Sequence, residues 1–225
     1  MQVEVLYRPS YSMARVLMNP GEAVRAETGA MVSMSPGLQV ETKMQGGLLQ
    51  SLARSVLGGE SFFVNTFRAS NQPGELMLAP TMPGDLLTYY LRGENVLVQR
   101  RYDMSSAESV NVDTKWGGAK TFFGGEGLIM LRCAGAGTLI LSSYGAIHEV
   151  NLGAGQMITV DTGHLVAFDE RLGFKVRAIG GLKSTLLGGE GLVVDLTGPG
   201  QVLLQTRSMG AFLEWLLPRL PKQHN

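Results

Sequence analysis

Val56-Leu57-Gly58-Gly59-Glu60, Phe122-Phe123-Gly124-Gly125-Glu126 and Leu186-Leu187-Gly188-Gly189-Glu190 set one pattern at three points of a 225-residue chain. The Gly-Gly-Glu steps lie 66 and 64 residues apart. In each copy a bulky apolar pair comes before the glycines and an apolar strand follows. A fixed period fixes an architecture before any single residue is interpreted. Other marks keep the same frame. Gly74-Glu75-Leu76-Met77-Leu78, Gly137-Thr138-Leu139-Ile140-Leu141 and Gly200-Gln201-Val202-Leu203-Leu204 recur at steps of 63. The doublets Gly46-Gly47, Gly117-Gly118 and Gly180-Gly181 precede the Gly-Gly-Glu copies. Gly21, Gly84 and Gly155 each open a strand. Four marks in one order, three times over, predict an internal triplication.

Composition supports strands. Glycine numbers 30 residues, nearly double the usual share of about 7%. Glycine between short apolar runs signals tight turns and many strands. Met31–Met34, Phe62–Phe67, Val96–Gln99, Gly127–Cys133, Thr138–Leu141 and Gly191–Leu196 read as strands. Asn19-Pro20-Gly21, Ser35-Pro36-Gly37, Gln72-Pro73-Gly74, Met82-Pro83-Gly84 and Gly198-Pro199-Gly200 read as turns. Two segments read as helices. Leu48, Leu49, Leu52, Val56 and Leu57 recur at helical spacing between glycine doublets. Ser208 caps a second helix over 208–217, which Pro218 ends.

The expectation is one compact all-β body of three repeats, 1–79, 80–142 and 143–207, with the terminal helix packed across a seam. Units of about 65 residues are short for independent domains. Three alike can close around a pseudo-threefold axis, as a homotrimer would.

The chain carries 19 basic and 19 acidic residues, so its net charge is zero. That removes broad attraction for nucleic acid, and no nucleic-acid partner is expected. Cys133 is the single cysteine, which excludes an intramolecular disulfide; it reads as a small buried or half-buried hydrophobe. The start, Met1-Gln2-Val3-Glu4-Val5, is already strand-like rather than a leader. No apolar run approaches the ~20 residues of a membrane span. A cytoplasmic location is expected.

No catalytic signature emerges. Trp116-Gly117-Gly118-Ala119-Lys120-Thr121 lacks the glycine a P-loop places before its lysine. His148, His164 and His224 read as turn or surface histidines, and Asp103, Asp169 and Glu170 as acids of solvated loops. Neither a cofactor nor enzymatic activity is expected. Glu60, Glu126 and Glu190 are the only metal candidates: on a threefold axis three carboxylates would converge, and hard cations take oxygen ligands. The preferred reading is structural, each glutamate accepting backbone N–H groups in its own turn or pairing with an arginine of the next unit. The apolar residues Leu48, Leu49, Leu52, Phe122, Phe123, Leu186 and Leu187 lie between glycine doublets, and triplication puts them at one end of the body. A contiguous apolar patch marks an interface. Self-association and plugging of the body's end are equal readings. Membrane-surface contact ranks behind both, because no lysine-rich polar face accompanies the patch.

Leu57-Gly58-Gly59-Glu60-Ser61-Phe62-Phe63-Val64-Asn65, Ala79-Pro80 to Pro83-Gly84-Asp85, Phe122 to Leu128 and Gln205-Thr206-Arg207-Ser208 together resemble the bacterial and archaeal members of the altered-inheritance-of-mitochondria family. That family has a mitochondrial-biogenesis branch in fungi. The resemblance covers nearly the whole chain. It implies a β-rich, double-stranded β-helix-like fold of triplicated units similar to the subunit of the tryptophan RNA-binding attenuation protein (TRAP). It brings no catalytic residues, and fold similarity does not transfer RNA or tryptophan binding. The functional expectation is a non-enzymatic scaffold or interaction protein that forms a homo-oligomer. The alternatives are a small-molecule or metal-binding protein using an inter-repeat pocket or the axial glutamates, and an enzyme with an unrecognised site.

Overall fold

The computed structural model describes residues 1–44, 63–113, 128–179 and 192–221. The protein is mostly β. In chain order the strands are β1 Gln2–Leu6, β2 Met13–Met18, β3 Ala23–Glu27, β4 Met31–Met34, β5 Leu38–Met44, β6 Phe63–Ala69, β7 Gly74–Leu78, β8 Leu86–Arg92 and β9 Val96–Gln99. Then follow β10 Asp103–Ala107, β11 Val110–Asp113, β12 Met130–Ser142, β13 Ile147–Leu152, β14 Met157–Asp161, β15 Leu165–Asp169, β16 Gly173–Ala178, β17 Leu192–Thr197 and β18 Gly200–Gln205. The helix α1, Met209–Leu216, closes the set.

Two compact units form. The first holds Met1–Glu94, Arg101–Asn111 and Ala134–Ser142; the second holds Asn95–Arg100, Val112–Cys133 and Ser143–Asn225. Residues 80–142 are thus divided between them. In the first unit β1-β2-β7-β4 make a four-stranded sheet, and β5, β6, β3 and β10 lead to the C-terminal half of β12. The second unit has β13-β18-β15-β9 beside the N-terminal half of β12, and a separate three-stranded sheet β14-β17-β16.

Alternation explains the strands. In β2 every second residue, Ala14, Val16 and Met18, is buried while Met13, Arg15 and Leu17 are partly covered. The first core gathers Val16, Met18, Phe67, Leu76, Leu78 and Leu86; the second gathers Leu97, Met130, Leu165, Phe168, Val194 and Val202. Each such side chain contributes about 1.5–3 kcal/mol relative to exposure.

The pairing recurs in register. β2 pairs with β7 from Ala14↔Leu78 to Met18↔Gly74. β8 pairs with β12 from Leu87↔Leu141 to Leu91↔Gly137, and β13 with β18 from His148↔Leu204 to Leu152↔Gly200. The other edge of these central strands takes β4, β10 and β15, from Met31↔Leu78, Asp103↔Leu141 and Leu165↔Leu204, and each pairing carries a register shift at its second step. A third pairing sets β3 on β6 (Val24↔Phe67), β9 on β12 (Val96↔Cys133) and β14 on β17 (Ile158↔Leu196).

Two sequence expectations change here. The separate strands read at 127–133 and 138–141 are one strand, β12, which runs through Ala134-Gly135-Ala136. Gly135 permits this at φ +112, where an added Cβ would sit 2.9 Å from the Ser109 carbonyl oxygen. The terminal helix exists, with the Ser208 hydroxyl accepting from the Ala211 amide at 3.5 Å. It ends at Leu216, and a 3₁₀ turn, Leu217–Arg219, follows. None of its residues is buried, so its apolar stripe is not packed away as expected.

Candidate functional site

Glu60, Glu126 and Glu190 lie outside the described residues. So do Leu48, Leu49, Leu52, Phe122, Phe123, Leu186 and Leu187, and the helix read over 48–57. β5 and β6 pair up to Met44↔Phe63, and β16 and β17 up to Ala178↔Leu192. β11 also pairs with β12. The segments over 45–62 and 180–191 therefore each link two neighbouring antiparallel strands, and the segment over 114–127 links two paired strands.

The described residues hold several polar fasteners and no group of three or more His, Cys, Asp or Glu side chains suited to a metal ion. Asp85 is buried immediately before β8. It accepts two hydrogen bonds from the Arg8 guanidinium, both 2.8 Å, one from the Ser12 hydroxyl at 3.0 Å and one from the Leu86 amide at 2.8 Å. Burial pushes its carboxyl up, but Arg8, the Leu86 amide and Ser12 outweigh burial and hold it below the usual carboxylate range. On the second unit Asp195 is held low, first by Arg177 and then by the Thr159 hydroxyl.

Three acids read as solvated belong to strands or their ends. Asp103 opens β10. Asp169 ends β15, is buried, and accepts the Gln201 amide at 2.9 Å. Glu170 accepts from Arg132 at 2.7 Å and Asn95 at 2.8 Å. These are bonds that fix turns to strands. The Gln205 side chain does the same, accepting the Tyr144 amide and donating to the Gly163 carbonyl, both at 2.8 Å. The His164 Nδ1 lies 2.8 Å from the Gln205 carbonyl oxygen, and His148 sits exposed on β13. Cys133 is buried in β12, as its apolar neighbours implied.

The distinctive surface feature is β4. Met31 is 43% exposed, Val32 55% and Met34 39%. Its residues are apolar on both faces, a composition ordinarily buried on both sides. It pairs with β7 on one side and ends its sheet on the other. An exposed apolar edge strand is a template for another strand. The sequence marked Met31–Met34 as a strand; its lack of alternation was the signal that it needs two covers. A second apolar area is α1, where Trp215 is 56% exposed and stacks on Phe212, with Arg219 4.8 Å above the ring. Phe212 meets Tyr144 edge-on at 6.1 Å, which anchors the helix.

Many short strands, polar side chains that fasten turns and an uncovered apolar edge together describe a mostly β protein. The chain belongs to the mitochondrial biogenesis AIM24 family, whose model matches residues 3–207. An uncharacterized protein of Streptococcus pyogenes serotype M6 is 28% identical to it over 229 residues, covering 96% of this chain and 89% of that protein. The crystal structure of a Streptococcus pyogenes protein shares the fold, with a TM-score of 0.80 at 24% identity over 97% of this chain and 99% of that one. Among the described residues, no helix is long and apolar enough to cross a membrane.

Proposed function

We propose that this protein is a non-enzymatic scaffold that works by associating with copies of itself. The observation that carries the reading is β4, an edge strand with apolar residues on both faces and every residue exposed. Leaving such a strand bare costs the hydrophobic free energy its cover would supply, about 25 cal/mol per Å². The reading includes an internal triplication of a six-stranded unit, in the TRAP-like manner the family resemblance implies. Its support is the shared register of the three pairings and the bulge that recurs beside Leu78, Leu141 and Leu204. Repeated units make repeated edges, and an edge without a neighbour is where a further copy fits.

Light scattering over a broad concentration series tests the reading. A mass well above the 24.2 kDa chain, falling on dilution, is expected. A constant single-chain mass would refute it.

A further inference from the structure

Two further pairings link strand sets that do not share a central strand, and they share a register. β10 pairs antiparallel with β3 through Ser105↔Ala26, Ser106↔Arg25 and Ala107↔Val24. β15 pairs antiparallel with β9 through Ala167↔Val98, Phe168↔Leu97 and Asp169↔Val96. Ser105 and Ala167 hold the same place, being the first residues past the bulge against Ile140 and Leu203. Ser33 holds that place in β4, against Met77. Ala26 and Val98 likewise correspond, two steps beyond the Val24↔Phe67 and Val96↔Cys133 pairs, and Val160 takes that position in β14.

One member of each kind is left over among the described residues. β4 has β7 as its sole sheet neighbour, and β14 has β17 as its sole one. Burial records the missing cover most fully on β4. Ser105 is 3% exposed and Ala167 fully buried, whereas every residue of β4 is exposed. On β14, Met157 is 68% exposed and Thr159 is also exposed, while Val160 is buried at 5%, as Ala26 and Val98 are.

We propose that β4 of one chain pairs antiparallel with β14 of a second copy, with Ser33 opposite Val160 and Met34 opposite Thr159. This rests on the self-association reading above and names its surface. The opposed residues suit the place: a small residue faces an aliphatic one in Ser33/Val160, as in Ser105/Ala26 and Ala167/Val98. The two surfaces differ, so the contact is head-to-tail. Such contacts close into rings or run on as filaments.

The test mixes a Met34→Cys chain with a Thr159→Cys chain under mild oxidation. Opposed residues in an antiparallel pair have Cα atoms about 4.5–5.5 Å apart, within disulfide reach. Native Cys133 is buried, and wild type serves as the background control. The expected result is a covalent dimer in the mixture and none from either variant alone. A Val32→Lys chain, checked for native circular dichroism, should fall to the 24.2 kDa mass. If wild type is multimeric but the mixture gives no crosslink, the strand pairing is overturned and self-association stands. A crosslink confined to one chain in the Met34→Cys/Thr159→Cys double variant also overturns it. A wild type of single-chain mass overturns both readings.

Discussion

Replacing Asp85 with asparagine keeps the side chain's shape and removes its charge. The native carboxylate is buried and takes four hydrogen bonds, two of them from the Arg8 guanidinium. Hydrogen bonds to charged groups contribute about 1.5–3 kcal/mol each. Arg8 is half exposed, so water replaces part of what it loses. The net expectation is a loss of about 2–3 kcal/mol at pH 7, read by urea unfolding with an unchanged slope. The pH dependence has a definite sign. A folded-state value below the ordinary carboxylate one means the stabilisation is present above the unfolded pKa of about 3.9 and disappears as pH falls through the folded value. The gap between wild type and Asp85→Asn should therefore hold from neutral pH to about pH 5 and narrow below about pH 4. A gap under about 0.5 kcal/mol at pH 7 would refute the reasoning, because that is the range of an ordinary surface change. So would a gap that stays constant into acid.

Two further substitutions probe the fold. Phe168→Ala empties a fully buried site in the second core, where Phe168 meets Phe174 at 5.5 Å, and should cost about 3–5 kcal/mol in the same unfolding assay. Gly135→Ala forces a side chain into φ +112 and against the Ser109 carbonyl oxygen; a loss of about 1–3 kcal/mol is expected, and a neutral result would remove the explanation for the unbroken β12.

Much of the strand order was legible in the sequence. Met31–Met34 and Val96–Gln99 are bounded as read, and the strands after Gly21 and Gly155 are β3 and β14; Gly84 instead precedes β8, which pairs as β2 and β13 do, and the strand that pairs as β3 and β14 do is β9, after Gly93. The Ala134–Gly137 stretch misled because glycine usually punctuates strands, while here its freedom at positive φ keeps the strand going. Asp169 misled for another reason. An acid beside Glu170 and Arg171 suggests a loop in water, yet Gln201 near the start of β18 needs an acceptor for its amide, and only tertiary structure supplies that need. The edge status of β4 was equally hidden. Residue type says that Met31, Val32 and Met34 want cover, and the sheet order says that one side has none.

Amide hydrogen exchange at residues 31–34 and 157–161, followed at low and high protein concentration, tests the central claim most directly. Pairing between copies predicts that both strands become protected together as concentration rises, while β1 and β16 stay unchanged. Equal exchange at all concentrations in β4 and β14 would contradict it.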